Sequence, residues 1–189
     1  SSTADLPSQI HGIVFANELL DALPTHAVVA REDGLREIFI DALDDGLIER
    51  ELPSSTPAIE EYLAQAGVRL PPGWRAEVNL RAMDWMGQAG RALQHGFLVL
   101  IDYGDEANVL YSALHAQGTL ATFTGHVIET RDGGRVAPWL RDPGGSDMTV
   151  HVDFTSIRRA AEAEGLDTIC IVDPVSYTHL RAHETVLDL

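Results

Sequence analysis

The sequence predicts an α/β fold built on parallel strands, and three observations carry that expectation. Ile13-Val-Phe-Ala16 is a continuous apolar run, rich in β-branched and aromatic residues, that ends abruptly in Asn17, Glu18 and Asp21. Phe97-Leu-Val-Leu-Ile101 repeats the pattern and ends in Asp102-Tyr103-Gly104-Asp105. Between them, Trp74 to Gln94 places Val78, Met83, Met86 and Leu93 near one helical stripe, with Leu80, Trp85 and Ala89 beside it. Continuous apolar runs suit strands buried on both faces of a parallel sheet, and open α/β sheets hold ligands beyond the carboxyl ends of such strands.

Each element follows in order. Residues 1–10 read as an irregular lead-in to the first strand at Ile13. Ala27–Ala30 and Leu35–Ile40 flank Arg-Glu-Asp-Gly, a turn between strand formers, so a β-hairpin is expected there. Leu47–Leu52 continues that antiparallel sheet until Pro53-Ser-Ser-Thr-Pro57 breaks it. A helix opens at Pro57 with Glu60 and Glu61 in its first turn, runs to about Gln65 and stops at Gly67. The long helix exits at His95-Gly96. Gly118–Thr124 has strand character, and Arg131–Gly134 and Asp142–Gly145 are turns. Asp153 or Thr155 caps a helix from Ser156 to Glu164, Gly165 ends it, and a last apolar strand is expected around Ile169 to Val172.

With 189 residues, 45% hydrophobic and 22% charged, the chain can bury one sizeable core. A net charge of -16 argues against a nucleic-acid partner, because phosphate binding needs clustered Lys and Arg, and suits a basic or arginine-bearing protein substrate. A solvated acidic surface accounts for much of the same charge. The single Cys170 excludes an internal disulfide and a multi-cysteine zinc site, and its apolar surroundings predict a buried thiol. No apolar run is long enough to span a bilayer and no leader pattern opens the chain, so no membrane partner and a cytoplasmic location are expected.

Four motifs in order carry a resemblance: V-F-A-N-E-L-L-D-A-L-P (14–24), L-I-D-Y-G (100–104), G-T-L-A-T-F-T-G-H (118–126) and P-G-G-S-D-M-T-V-H-V-D-F-T (143–155). Together they resemble the MidA family of class I methyltransferases, over nearly everything from Gly12 to about Leu166. The resemblance implies a partial Rossmann-like sheet, S-adenosylmethionine as cofactor and methylation of a protein arginine or similar cationic nitrogen. Eukaryotic relatives would be mitochondrial. It also implies that Ile13–Ala16 is the fourth strand and Phe97–Ile101 the fifth, so that residues 1–174 form the carboxyl-side part of a methyltransferase domain. The glycine-rich loop that holds the methionine part of the cofactor has no counterpart, since Asp132-Gly-Gly134 and Pro143-Gly-Gly145 do not join a strand to a helix. On that expectation the fragment is inactive alone, and the missing strands leave apolar faces and an open sheet edge exposed. Residues 175–189 break the α/β rhythm, resemble a translated library adaptor and are set aside as a non-native tail; His179 and His183 fall there.

Methyl transfer to nitrogen requires alignment, desolvation and charge management. Glu18 is the first candidate for holding a guanidinium through a bidentate pair, with Asp21, Asp153 and Tyr103 as further substrate contacts and Asn17 and Asp102 toward the cofactor. His151 is a candidate proton relay, placed on the face of Asp153 if the segment is extended. Bland roles stand beside each: Asn17 and Asp153 as helix caps, Glu18 as a helix-dipole partner, Asp102 as a turn acid, Tyr103 as a roof over the core, His151 as a partner for buried backbone and His126 as a loop residue. No metal is assigned on the methyltransferase reading. The alternatives from other classes are a metal-dependent hydrolase using His126, His151 and Asp153, and a noncatalytic protein-interaction module. Oligomeric state is not legible.

Overall fold

The computed structural model describes residues 6–172 apart from 45, 125, 126 and 132–136. His126, most of the turn at 131–134 and the tail at 175–189 therefore lie outside the described residues. The strands are β1 (Ile10–Asn17), β2 (His26–Arg31), β3 (Gly34–Leu43), β4 (Gly46–Leu52), β5 (Arg75–Val78), β6 (Leu93–Ile101), β7 (Gly104–Asp105), β8 (Ala121–Thr124), β9 (Val127–Thr130), β10 (Asp147–Thr149) and β11 (Val152–Asp153). The helices are α1 (Ala58–Gln65), α2 (Leu80–Ala92), α3 (Ala107–Leu110) and α4 (Phe154–Ala163), with 3-10 turns at Ala113–His115 and Pro138–Leu140.

The two apolar runs pair side by side and in parallel, from Ile13 opposite Phe97 to Asn17 opposite Ile101. The expected α/β class and the expected common direction of these strands are both present. Burial differs from expectation on one face. Val14 and Ala16 are buried, but Ile13 is 67% exposed, Phe15 61% and Phe97 57%. The alternation arises because α2 and α4 cover one side, where Leu98 and Leu100 join a cluster of Leu20, Ala82, Met86, Val152 and Ile157. Among the described residues nothing covers the other side, where Val99 and Ile101 are exposed as well.

Between β1 and β6 the chain inserts more than a hairpin. β2 and β3 form the expected hairpin, with Arg31 opposite Gly34 across a two-residue turn, and β4 extends it. β5 then pairs antiparallel with β2 on the other edge, giving the order β4-β3-β2-β5. The predicted helix from Trp74 to Gln94 is thus corrected at both ends: 75–78 is a strand, the helix runs Leu80–Ala92, and His95-Gly96 lies within β6 rather than at a helix exit. Ala76 and Val78 are buried while Arg75 and Glu77 are less so, a period of two that a stripe of 3.6 obscured over so short a segment. Asn79 marks the boundary, its side chain accepting from the Ala82 N–H at 2.8 Å as a helix cap. α1 covers this sheet with Ile59, Tyr62 and Leu63 against Val28, Ala76 and Val78.

Buried Glu37 ties the insertion together. Its carboxylate contacts His26 Nδ1 at 2.6 Å and accepts from the Ser55 N–H at 2.6 Å. Burial alone would push its pKa up, but the bonds from His26 and Ser55 overcome this and hold it below the usual carboxylate value. A depressed carboxylate stabilises the fold above its unfolded pKa and loses that contribution as pH falls through the folded value. Urea unfolding should therefore show stability falling below about pH 4.5, and Glu37→Gln should flatten that part of the profile; an unchanged slope would contradict it.

The expected strand at Ile169–Val172 is not formed. The segment has strand composition but no neighbour among the described residues to pair its backbone, and Ile169, Cys170, Ile171 and Val172 are exposed. Cys170 is accordingly not a buried thiol. No helix among the described residues is long and apolar enough to cross a membrane.

Candidate functional site

The carboxyl ends of β1 and β6 meet in a tightly bonded rim. The Glu18 N–H donates to the Ile101 carbonyl at 2.8 Å, so the first residue past β1 is locked to the last residue of β6. Asp102 Oδ2 then accepts from the N–H groups of Leu20 at 2.8 Å and Leu19 at 3.2 Å, and Asp102 Oδ1 from the Tyr103 N–H at 3.0 Å. Three backbone donors that the turn would otherwise orphan are thereby satisfied. Burial pushes the Asp102 carboxyl above the usual range, the charge of Asp21 adds to this, and the Leu20, Tyr103 and Leu19 donors oppose it.

Glu18 has φ 47°, and it is the one residue other than glycine with a positive φ among the described residues. A left-handed conformation at a glutamate costs about 1–2 kcal/mol and persists only where its surroundings impose it, a pattern concentrated at functional sites. Leu20, fully buried in the cluster with Met86 and Val152, pulls the turn inward. Its carbonyl accepts from Asn79 Nδ2 at 2.8 Å. The cap of α2 therefore also fixes the rim, leaving Asn17 and Glu18 exposed at the strand ends.

Asp21 is 9% exposed; its Oδ2 accepts from the Thr149 hydroxyl at 2.7 Å, while Oδ1 is buried without a partner among the described residues. The segment 149–152 is drawn against the same rim, Val150 N–H donating to the Asp21 carbonyl at 3.1 Å and Val152 N–H to the Tyr103 carbonyl at 2.8 Å. Tyr103 is 62% exposed. Asn17, Glu18, Asp21, Asp102 and Tyr103 are thus brought to one end of one strand pair.

Asp153 is placed differently. It is 3% exposed and caps α4, Oδ1 accepting from the Thr155 and Ser156 N–H groups and Oδ2 from the Ser156 hydroxyl at 2.6 Å. Both oxygens being committed to the helix, its predicted substrate contact gives way to the cap that the sequence also allowed. His151 does not pair with Asp153. Its ring lies 5.4 Å from that of His115 in an edge arrangement, and its Nδ1 is 4.0 Å from Asp105 Oδ2. Burial and then the neighbouring His115 hold its pKa below the usual value, against the opposing charge of Asp105.

Sequence reading passed over Asn79, Glu77, Asp105, His115 and Thr119. Asn79 carried a signal, an amide three residues ahead of Ala82 at a helix start, which the overlong helix masked. Glu77 Oε2 accepts from the Thr119 N–H at 2.7 Å and hydroxyl at 3.0 Å, and the Thr119 hydroxyl accepts from the His151 N–H at 3.0 Å. No spacing rule links those three residues. Together with Arg75, Tyr111 and His115 they line a cavity of about 10 Å³, the size of one water.

Residues 2–172 match the family Methyltransf_28, described as S-adenosyl-L-methionine-dependent methyltransferases. Among solved structures, a COG1565 superfamily protein from Burkholderia thailandensis bound to S-adenosyl-homocysteine superimposes with a TM-score of 0.77 at 25% identity, over 97% of this chain and 50% of that one. A native crystal structure of a COG1565 superfamily protein from the same organism gives 0.77 at 26% identity, over 97% and 52%. The chain spans about half the length of these relatives. Among curated proteins none matches.

Proposed function

The chain belongs to the S-adenosyl-L-methionine-dependent methyltransferase family, and from that premise we propose that the rim joining β1 and β6 is a methyl-transfer site, MidA-like, whose acceptor is a protein arginine or a similar cationic nitrogen. The observation that carries this reading is the left-handed Glu18, held by Ile101 and flanked by Asp102 at the carboxyl end of a parallel strand pair. That is where open α/β sheets hold ligands. The likeness to a structure bound to S-adenosyl-homocysteine supports the choice of cofactor.

S-adenosylmethionine, when bound, supplies an electrophilic methyl group on a sulfonium. The protein's share is to present the acceptor. Glu18 is exposed and fixed in direction by its backbone, so its carboxylate can take two N–H groups of a guanidinium and set the plane of the group. Asp21 Oδ1, a buried acceptor lacking a donor among the described residues, is the kind of atom that a cationic acceptor would satisfy. Tyr103 offers a flat exposed ring on which a guanidinium can stack. Asn17 faces the cofactor side in this reading, and Asp102, both of whose oxygens accept from backbone N–H groups, positions the turn that carries Glu18. The net charge of -16 favours encounter with a basic segment. Asp153 and His151 are left out, the first because it caps α4 and the second because its neighbours are His115 and Asp105.

Among the described residues no glycine-rich loop joins a strand to a helix to offer backbone donors to the methionine part of the cofactor. Calorimetry should accordingly find S-adenosylmethionine binding to the 189-residue chain weaker than about 100 μM; micromolar affinity would overturn this expectation. For the acceptor, full-length protein supplied with radiolabelled S-adenosylmethionine should label arginine-bearing peptides, and hydrolysis should release methylarginine. Label recovered only on lysine, or on no peptide, would reject the arginine assignment.

A further inference from the structure

We propose that Asp105, His115 and His151 form a binding site for one divalent transition-metal ion of the zinc class, beside the methyl-transfer rim but independent of that assignment. The possible ligand atoms of the three residues all lie within 4.8 Å of one another. Two imidazoles and a carboxylate are a donor set that zinc favours, with a fourth position left for water.

Local structure prepares each ligand. His115 closes a 3-10 turn whose start is capped by Ser112, and its Nδ1 sits 3.2 Å from the Leu110 carbonyl. A carbonyl can only accept, so Nδ1 carries the proton and Nε2 keeps its lone pair free for a metal. His151 presents the complementary signal, an Nδ1 that is buried without any hydrogen-bond partner among the described residues. Its backbone is held by Val152 N–H on the Tyr103 carbonyl and by its own N–H on the Thr119 hydroxyl, which Glu77 fixes in turn. Asp105 is brought alongside by the parallel pairing of β7 with β11, Gly104 opposite Val152 and Asp105 opposite Asp153.

The dimensions fit an ion after small side-chain rotations. Two ligands about 2.1 Å from a tetrahedral metal stand about 3.4 Å apart, and the His151 Nδ1 to Asp105 Oδ2 separation is 4.0 Å. Both side chains are about 40% exposed, which gives the ion an entry path. His115 and His151 also border the cavity of about 10 Å³. A bound ion would staple the 3-10 turn at 113–115 to β7 and to the residue preceding β11.

The test is zinc titration of the chelator-treated 189-residue chain by calorimetry, in a His179→Ala/His183→Ala background that removes the tail's histidine pair. One ion per chain with a Kd of about 1 μM or tighter is expected, weakened at least about 100-fold by His115→Ala or His151→Ala and about 10-fold by Glu77→Gln. His115→Cys should retain cobalt(II) and add a thiolate-to-cobalt charge-transfer band, a signature that a misfolded variant would not give. Absence of binding at 100 μM zinc, binding that vanishes with the tail histidines, equal affinity in His115→Ala, or a cobalt spectrum unchanged by His115→Cys would each overturn the proposal.

Discussion

Gly96→Ala should destabilise the fold by more than about 3 kcal/mol, enough to unfold many single domains of this size. Gly96 has φ +135°, where an L side chain is strained, and a β-carbon there would overlap the carbonyl oxygen of Gly12 on the paired strand. Backbone cannot yield as a flexible side chain can, so the insult falls on the register that sets Asn17 opposite Ile101. Gly104→Ala should act in the same direction, because its β-carbon would meet the Val152 carbonyl where β7 and β11 pair. Gly165→Ala serves as the comparison: its φ is +83°, but nothing lies within 4 Å of the added carbon, so only the local strain of about 1 kcal/mol applies. Chemical denaturation of the three variants checks the order. Equal losses at Gly96 and Gly165 would mean that strand pairing is not what Gly96 protects.

Glu18→Gln, assayed in the full-length protein, should lower turnover about 100-fold or more while changing S-adenosylmethionine affinity less than about 3-fold. The amide keeps the size of the side chain but cannot accept two N–H bonds or balance a cation. Glu18→Gly sharpens the comparison. Glycine accepts φ 47° without penalty, so this variant should be as stable as the parent or more stable by up to about 1 kcal/mol, yet be as impaired in turnover as Glu18→Gln. A strained residue whose relief costs activity is there for its side chain. Parent-like turnover in both variants would retire the assignment of Glu18.

How much of this was legible follows from the range of the interactions concerned. Val14, Ala16, Leu98 and Leu100 announced a paired strand core through composition alone, because fully apolar runs bounded by polar residues have few other uses. The rim was legible too, since Glu18 and Asp102 end those runs. The fold of 74–78 was not: Val78 satisfies a helical stripe as well as a strand, and only the pairing of Ala76 with Val28 decides between them. Ile169–Val172 failed for the opposite reason, its β-branched composition being sound and its strand partner missing among the described residues. Asp153 had a local signal, with Ser156 three positions on, and became the cap that this signal suggests. The grouping of Asp105, His115 and His151 had none, because it exists only through the pairing of β7 with β11 and the turn that ends at His115.

The backbone resonances of the 189-residue chain, followed by NMR during titration with S-adenosyl-homocysteine, give the most direct test of the methyl-transfer rim, since they register binding even in the millimolar range. Shifts should concentrate on Asn17 to Leu20 and on Asp102 to Gly104, where the two parallel strands end. Shifts confined to the open groove around Asp33, Pro53 and Glu60, or a spectrum unmoved at millimolar ligand, would contradict the placement of the active site at the β1–β6 rim.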